Sequence, residues 1–181
     1  MISDFVKGKK KFDYPAGIQK GISLHRSIDT FTDNHAATRE AKRIFRPDYR
    51  LYSGAFVDVV YDHFLAADDN EFSEESLFHF SHQVYSILNE YRQGLPERFA
   101  AMLPYMQSQN WLFHYRTIAG AEKSLGGVVR RAAYLSESNT AFNLFRQHYQ
   151  PLQLCYRQFW KDVKSFAGEQ FNVLTKTNNN M

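Results

Sequence analysis

Four carboxylates and two imidazoles stand at helical spacing inside otherwise apolar stretches of this sequence. The segment "SLHRSIDTFTD" places His25, Asp29 and Asp33 four residues apart, and "VDVVYDHF" adds Asp58, Asp62 and His63. Residues four apart on an α-helix share a face. His25 and Asp29 therefore project together, as do Asp58 and Asp62. His63 is turned from Asp62 by about 100°, onto the face of Val60 and Phe64, with Asp62 at the edge of that face. A carboxylate or imidazole buried without a partner costs several kcal/mol. A divalent cation answers both demands, because it takes imidazole nitrogen and carboxylate oxygen together. A set with two His, several Asp and no Cys suits Mn, Mg, Fe or Zn in a hydrolytic site better than a structural zinc. A hydrogen-bonded core pair is the competing reading for Asp62-His63 taken alone. The two clusters together favour the metal site.

The elements that must position these groups are helices. Val and Ile are few and do not alternate, while apolar positions recur with helical period almost throughout. A short opening piece stops at Gly8, and "KKKFD" after it is expected to be exposed. Pro15 can open a helix over 15–31, with Gly17 and Gly21 on the side of His25 and Asp29, small enough for another backbone to come close. Asn34 can cap a helix over 34–45. Further helices are expected over 48–67, then 73–91 with Ser73 as cap, and then 97–107, 111–116, 118–134 and 140–167. The class is all-α, a compact single-domain helical bundle over residues 1–172 followed by a polar tail at 173–181.

Composition narrows the function. The chain has 181 residues, 16% of them aromatic, a formal net charge of +3 and one cysteine. That length supports one sizeable core. The charge is well short of a nucleic-acid-binding signature, and a lone Cys155 excludes an internal disulfide framework. No apolar run reaches the length of a membrane span and no signal peptide opens the chain, so the expected location is the cytoplasm, with neither nucleic acid nor membrane as partner. His35 reads as a helix-start residue. His79 and His82 lie three apart with no acidic companion on their face, and His114 and His148 stand isolated.

Four motifs, in order, carry a resemblance: "SDFVKG", "GISLHRSID" (Gly21 to Asp29), "TDN" and "YDHFL". Together with "NWLFHYR" and the closing helices, they resemble acyl carrier protein phosphodiesterases over nearly the whole chain. That family is similar to a divergent branch of the HD metal-dependent phosphohydrolases. The resemblance implies an HD-phosphohydrolase-like helical fold and a divalent metal, Mn²⁺ first, with Mg²⁺, Fe²⁺ or Zn²⁺ as alternatives. It implies hydrolysis of the phosphodiester that links 4′-phosphopantetheine to a serine of holo acyl carrier protein. By position, Asp62 and His63 match the HD-type pair, His25 and Asp29 the "HxxxD" element, and Asp4 the Asp of the family's "ADF" segment. Asp4, His25, Asp29, Asp62 and His63 are thus the expected metal ligands or their immediate supports, with Asp58 and Asp33 in reserve. Asp33 could equally cap the following helix. Family members usually carry an extra segment with an "LAH" motif before the "DF" element, so this chain is expected to lack an N-terminal segment.

In such a reaction Asp29 or Asp62 would orient the attacking water or take its proton. Lys7 and Arg26 could stabilise phosphoryl charge. Carrier proteins are acidic, so a basic patch drawn from Lys9, Lys10, Lys11, Arg130 and Arg131 would speed encounter. Two other functions fit the same residues: an HD-type phosphohydrolase acting on a nucleotide or other small phosphoester, and a non-catalytic helical module that binds carrier protein.

Overall fold

The computed structural model describes residues 2–176, and among them the backbone is helical, with no strand. Two 3₁₀ segments, Ser3–Phe5 and Gly8–Asp13, lead into α1 (Ala16–Asn34), α2 (Ala36–Tyr49), α3 (Ser53–Ala66), α4 (Glu74–Glu90), α5 (Glu97–Ser108), α6 (Trp111–His114), α7 (Ile118–Arg131), α8 (Asn139–Gln147) and α9 (Tyr149–Lys176). Local chemistry sets most boundaries. Pro15, with φ −54°, precedes the first turn of α1, where a missing N–H costs nothing. Ser73 caps α4 through its side chain, which accepts from the Ser76 amide at 3.1 Å. His35 caps α2, its Nδ1 accepting from the Ala37 amide at 3.2 Å.

Several expected boundaries move. Asn34 ends α1 rather than capping α2, and its side chain donates to the Thr30 carbonyl at 2.8 Å. α2 runs past the expected stop at 45 and carries Pro47 in its last turn. There the ring displaces only one intrahelical bond. The chain then turns sharply at Arg50, whose φ is +45°, and α3 starts at Ser53, later than expected. The single helix expected over 140–167 is two, broken at His148. "KKKFD" is largely exposed, as expected, and forms a 3₁₀ segment opened by Gly8 at φ +56°. The first residues of the expected polar tail, 173–176, are the end of α9; residues 177–181 lie outside the described residues.

Two hydrophobic clusters organise the helices. In the larger, α3 supplies Phe56, Val57, Val60 and Phe64 against Phe45 of α2, Leu125 of α7, Phe145 of α8 and Phe159 of α9. Phe56, Val57 and Val60 have no exposed surface, and each contributes about 1.5–3 kcal/mol by that burial. α1 packs on α2 and α9, with Phe31 stacked on Phe166 at 4.5 Å. In the smaller cluster Tyr85, Phe99, Leu103 and Met106 hold α4 to α5, and Ile2, Phe5 and Trp111 pack against them. The N-terminal segment is thereby anchored to a part of the molecule remote in sequence.

Gly17 and Gly21 do not serve a close approach: a Cβ built at either meets nothing within 4 Å. Gly120 is the opposite case, since a Cβ there would strike the His114 carbonyl oxygen. Gly21→Ala should therefore raise the unfolding free energy by about 0.5–1 kcal/mol, through helix propensity and a less disordered unfolded chain. Gly120→Ala should lower it by more than about 1 kcal/mol. Urea unfolding followed by circular dichroism separates the two.

Candidate metal centre

The N-terminal segment and α1 meet at one group of donors. Single ligand atoms of Asp4, His25 and Asp29 all lie within 4.8 Å of one another. The helical spacing of His25 and Asp29 puts imidazole Nδ1 2.9 Å from Asp29 Oδ2. That contact sets ring nitrogen and carboxylate oxygen side by side as two adjacent donors. Asp4 reaches the pair from the 3₁₀ turn Ser3–Phe5, whose neighbour Phe5 is locked edge-on against Phe99 at 5.5 Å.

Arg26 holds this segment in place. Its guanidinium donates to the Val6 carbonyl at 2.6 Å and to the Gly8 carbonyl at 3.4 Å. The residue expected to meet phosphate instead ties the backbone on either side of Lys7 to α1. Lys7 itself is exposed.

α3 contributes the next carboxyls. Asp58 and Asp62 are both exposed on the outer side of α3, with protein packed about their carboxyls. Burial pushes Asp58 up to about 6, helped by the negative charges of Asp33, Asp29 and Asp4 and opposed by Lys42. Burial, and then the charge of Asp58, push Asp62 up to about 7. Asp58 thus couples electrostatically to the α1 group on one side and to Asp62 on the other. Asp62 is not within the tight group formed by Asp4, His25 and Asp29. Asp33 does not cap α2; it accepts an ion pair from Lys42 Nζ at 2.7 Å.

His63 is put to a different use from the expected one. The ring is 1% exposed. Nδ1 lies 2.8 Å from the Tyr115 carbonyl and must donate to it, so Nε2 accepts from the Tyr149 hydroxyl at 3.0 Å. Burial lowers its pKa. Both nitrogens are committed and the ring is neutral, so His63 is a core hydrogen-bonding residue and not a metal ligand. The rotation of about 100° between adjacent helical residues points His63 inward and Asp62 outward.

The other expected residues are scattered. Lys9 and Lys10 are exposed on the second 3₁₀ segment, Lys11 donates to Ser23 Oγ at 3.3 Å, and Arg130 and Arg131 are exposed at the end of α7. His79 does have an acidic companion, exposed Glu75 at 3.8 Å. Cys155 is a buried free thiol. Sequence reasoning missed Arg26 as a backbone clamp and Asp58 as the central coupled carboxyl. The only sequence signal for either was its position beside or four residues from a named candidate.

The donor set, one imidazole and two carboxylates, fits a hard-to-borderline divalent cation. Crowded negative charge that raises the neighbouring Asp58 and Asp62 is the condition such a cation relieves.

Comparison with known proteins adds the context. A family model described as acyl carrier protein phosphodiesterase matches residues 1–163. A relative from Klebsiella pneumoniae bearing that name is 33% identical over 166 residues, covering 89% of this chain and 82% of its own. One from Photorhabdus laumondii is 31% identical over 161 residues, covering 88% and 81%. One from Escherichia coli is 30% identical over 175 residues, covering 94% and 89%. No solved structure matches the chain, and no helix among the described residues is long and apolar enough to cross a membrane.

Two outcomes are expected. His63→Ala should cost about 2–5 kcal/mol of stability, because it leaves a cavity and strips the Tyr115 carbonyl and Tyr149 hydroxyl of a partner. A stability loss that is the same with and without chelator supports the core role; a ligand role predicts lost metal affinity with stability kept. The pH dependence of Asp62 has a definite sign. Its folded pKa of about 7 lies above the ordinary 3.8, so between those values the folded state holds a proton that the unfolded chain has lost. The ionised carboxyl therefore destabilises the fold, increasingly as pH rises through that window. In chelator, Asp62→Asn should melt like the wild type near pH 4 and progressively higher up to pH 7, with the difference constant above.

Proposed function

The chain belongs to the acyl carrier protein phosphodiesterase family, and from that membership we propose that it is a phosphoric diester hydrolase that removes 4′-phosphopantetheine from holo acyl carrier protein. The observation that carries the reading to particular residues is the convergence of Asp4, His25 and Asp29 within 4.8 Å. These three would hold a divalent cation, Mn²⁺ in the first instance, with Mg²⁺, Fe²⁺ or Zn²⁺ compatible with the same donors. When bound, the cation supplies positive charge against the phosphoryl oxygens and eases ionisation of water.

The protein's own groups divide the remaining work. His25 Nδ1 and Asp29 Oδ2, 2.9 Å apart, hold each other side by side as adjacent donors for a cation that both would ligate. Arg26 keeps Asp4 at the site through the Val6 and Gly8 carbonyls. Lys7, three residues beyond Asp4, is the cation of this segment that can meet a phosphoryl oxygen. Asp62, whose carboxyl is raised to about 7, titrates near neutral pH, where a general base is most effective. Its carboxylate takes the proton from the attacking water as the new oxygen–phosphorus bond forms. The bond from phosphorus to the seryl oxygen breaks, and that oxygen receives a proton. Apo carrier protein and 4′-phosphopantetheine result.

A cavity of about 540 Å³ is lined by Ile2, Phe5 and Val6, which flank Asp4, and by Tyr14, Ile18 and Leu95. The aromatic Tyr91 and the charged Lys10, Asp13 and Glu90 share this wall.

A gel-shift assay with purified holo carrier protein tests the reading. Conversion to the apo form is expected with Mn²⁺ and not with chelator. Asp62→Ala is expected to slow conversion by a factor on the order of 10²–10⁴ while leaving helical circular dichroism unchanged. Full turnover by that variant removes Asp62 from the reaction. Absence of conversion by the wild type, together with hydrolysis of a nucleotide phosphoester, replaces the carrier-protein reading.

A further inference from the structure

We propose that the outward face of α2, together with Leu51, is the surface on which the acidic carrier protein docks; the assignment rests on the substrate reading above and locates the partner on the molecule. Residues 36–50 hold Arg39, Lys42, Arg43, Arg46 and Arg50 against only Glu40 and Asp48, a local net charge of +3, as large as that of the whole chain. Arg39, Arg43, Arg46 and Arg50 follow at steps of four, three and four residues. Arg39, Arg43 and Arg46 form one stripe along the helix, and Arg50 follows just past its end; all four are exposed. A depression of about 390 Å³ runs beside the stripe, lined by Arg39, Glu40, Lys42, Arg43 and Arg46.

An apolar anchor stands at the end of this stripe. Leu51 is 98% exposed, directly after Arg50, which holds the left-handed backbone with φ +45°. A non-glycine residue in that region is strained, and here the turn presents Leu51 to solvent instead of to the core. Arginines around an exposed apolar residue are the composition of a protein-binding hot spot. The partner that fits is an acidic protein with an apolar residue among its carboxylates. A nucleic-acid backbone fits less well: Glu40 and Asp48 interrupt the charge, and Leu51 has no counterpart on a phosphate chain.

The stripe also lies next to the chemistry. Lys42, on the same helix, pairs with Asp33 at 2.7 Å, and its charge acts on Asp58. A partner seated on α2 is thus beside α1 and α3, the helices that carry Asp33 and Asp58.

Binding of fluorescently labelled holo carrier protein, followed by anisotropy in chelator so that no turnover occurs, tests the surface separately from the reaction. Wild-type binding is expected to weaken as salt rises. The double variant R39E/R46E should weaken it at least tenfold, and Leu51→Ser several-fold, with Lys9→Glu, on the other basic stretch, within twofold of wild type. All these sites are exposed, so melting temperatures should stay unchanged and serve as the folding control. With Mn²⁺ present, KM should rise in R39E/R46E with kcat retained. Unchanged binding by R39E/R46E and Leu51→Ser overturns the surface, as does a loss confined to Lys9→Glu, or a DNA duplex that competes as well as carrier protein. A wild type that binds through this face yet never converts holo to apo protein leaves the surface standing and overturns the hydrolase reading instead.

Discussion

Like charges gathered close together set the terms for this molecule. Asp4, Asp29, Asp33, Asp58 and Asp62 belong to one electrostatic neighbourhood, in which Asp58 is raised to about 6 and Asp62 to about 7. Carboxyls accept such crowding only with a counter-charge or a proton. The fold supplies partial answers: Lys42 on Asp33, the His25 ring on Asp29, and proton uptake on α3. None of these neutralises the whole group. A divalent cation would, so the residues that destabilise the bare chain are the ones that would gain most from binding it. Function and stability are opposed at this site, as is usual where charge is gathered for chemistry.

That electrostatic load has to be carried by a rigid frame. α3 takes it through His63, which joins α3 to the Tyr115 carbonyl before α7 and to the Tyr149 hydroxyl at the start of α9. Because His63 cannot rotate without losing both bonds, its neighbour Asp62 is held pointing outward. The N-terminal segment has no long helix to stiffen it. It is fixed instead at two points, by Phe5 against Phe99 and by Arg26 on the Val6 and Gly8 carbonyls. Asp4 therefore meets α1 through packing in the smaller hydrophobic cluster, far away in sequence.

The all-helical class was legible because helical periodicity is local, and so was the pairing of His25 with Asp29, which needs nothing beyond one turn of helix. "YDHF" was legible as a place where a carboxylate and an imidazole meet the core. Which of the two enters the core depends on how α3 is rotated against α7, α8 and α9, and no local pattern states that. The end of α2 was placed too early, at 45, although the helix runs to Tyr49 with Pro47 inside it. A proline in the last turn costs one bond, and burial of Tyr49 keeps the helix going. Arg50 at positive φ carried no signal, since the sequence has no glycine there. Gly17 and Gly21 misled in the other sense: small residues permit a close approach without requiring one. Arg26 was noticed for its charge, but the carbonyls it binds belong to a segment eighteen to twenty residues away.

Charge is also segregated at a larger scale. The acidic cluster would repel both a phosphodiester and an acidic protein, so it cannot attract its own substrate unaided. α2 lies beside that cluster and carries the opposite sign on its outward face. Lys42 stands at the seam, its ammonium turned to Asp33 while Arg39, Arg43 and Arg46 remain exposed on the same helix. Such an arrangement separates encounter from chemistry. The basic face shapes long-range attraction, which salt screens over a Debye length of about 8–10 Å. The carboxylates act only on what has already arrived. A helix that was uniformly basic up to the acidic cluster would neutralise Asp58 and Asp33 and compete with a cation for their charge. A single lysine at the boundary, already committed to Asp33, leaves Asp4 and Asp29 available as donors and keeps the two fields distinct.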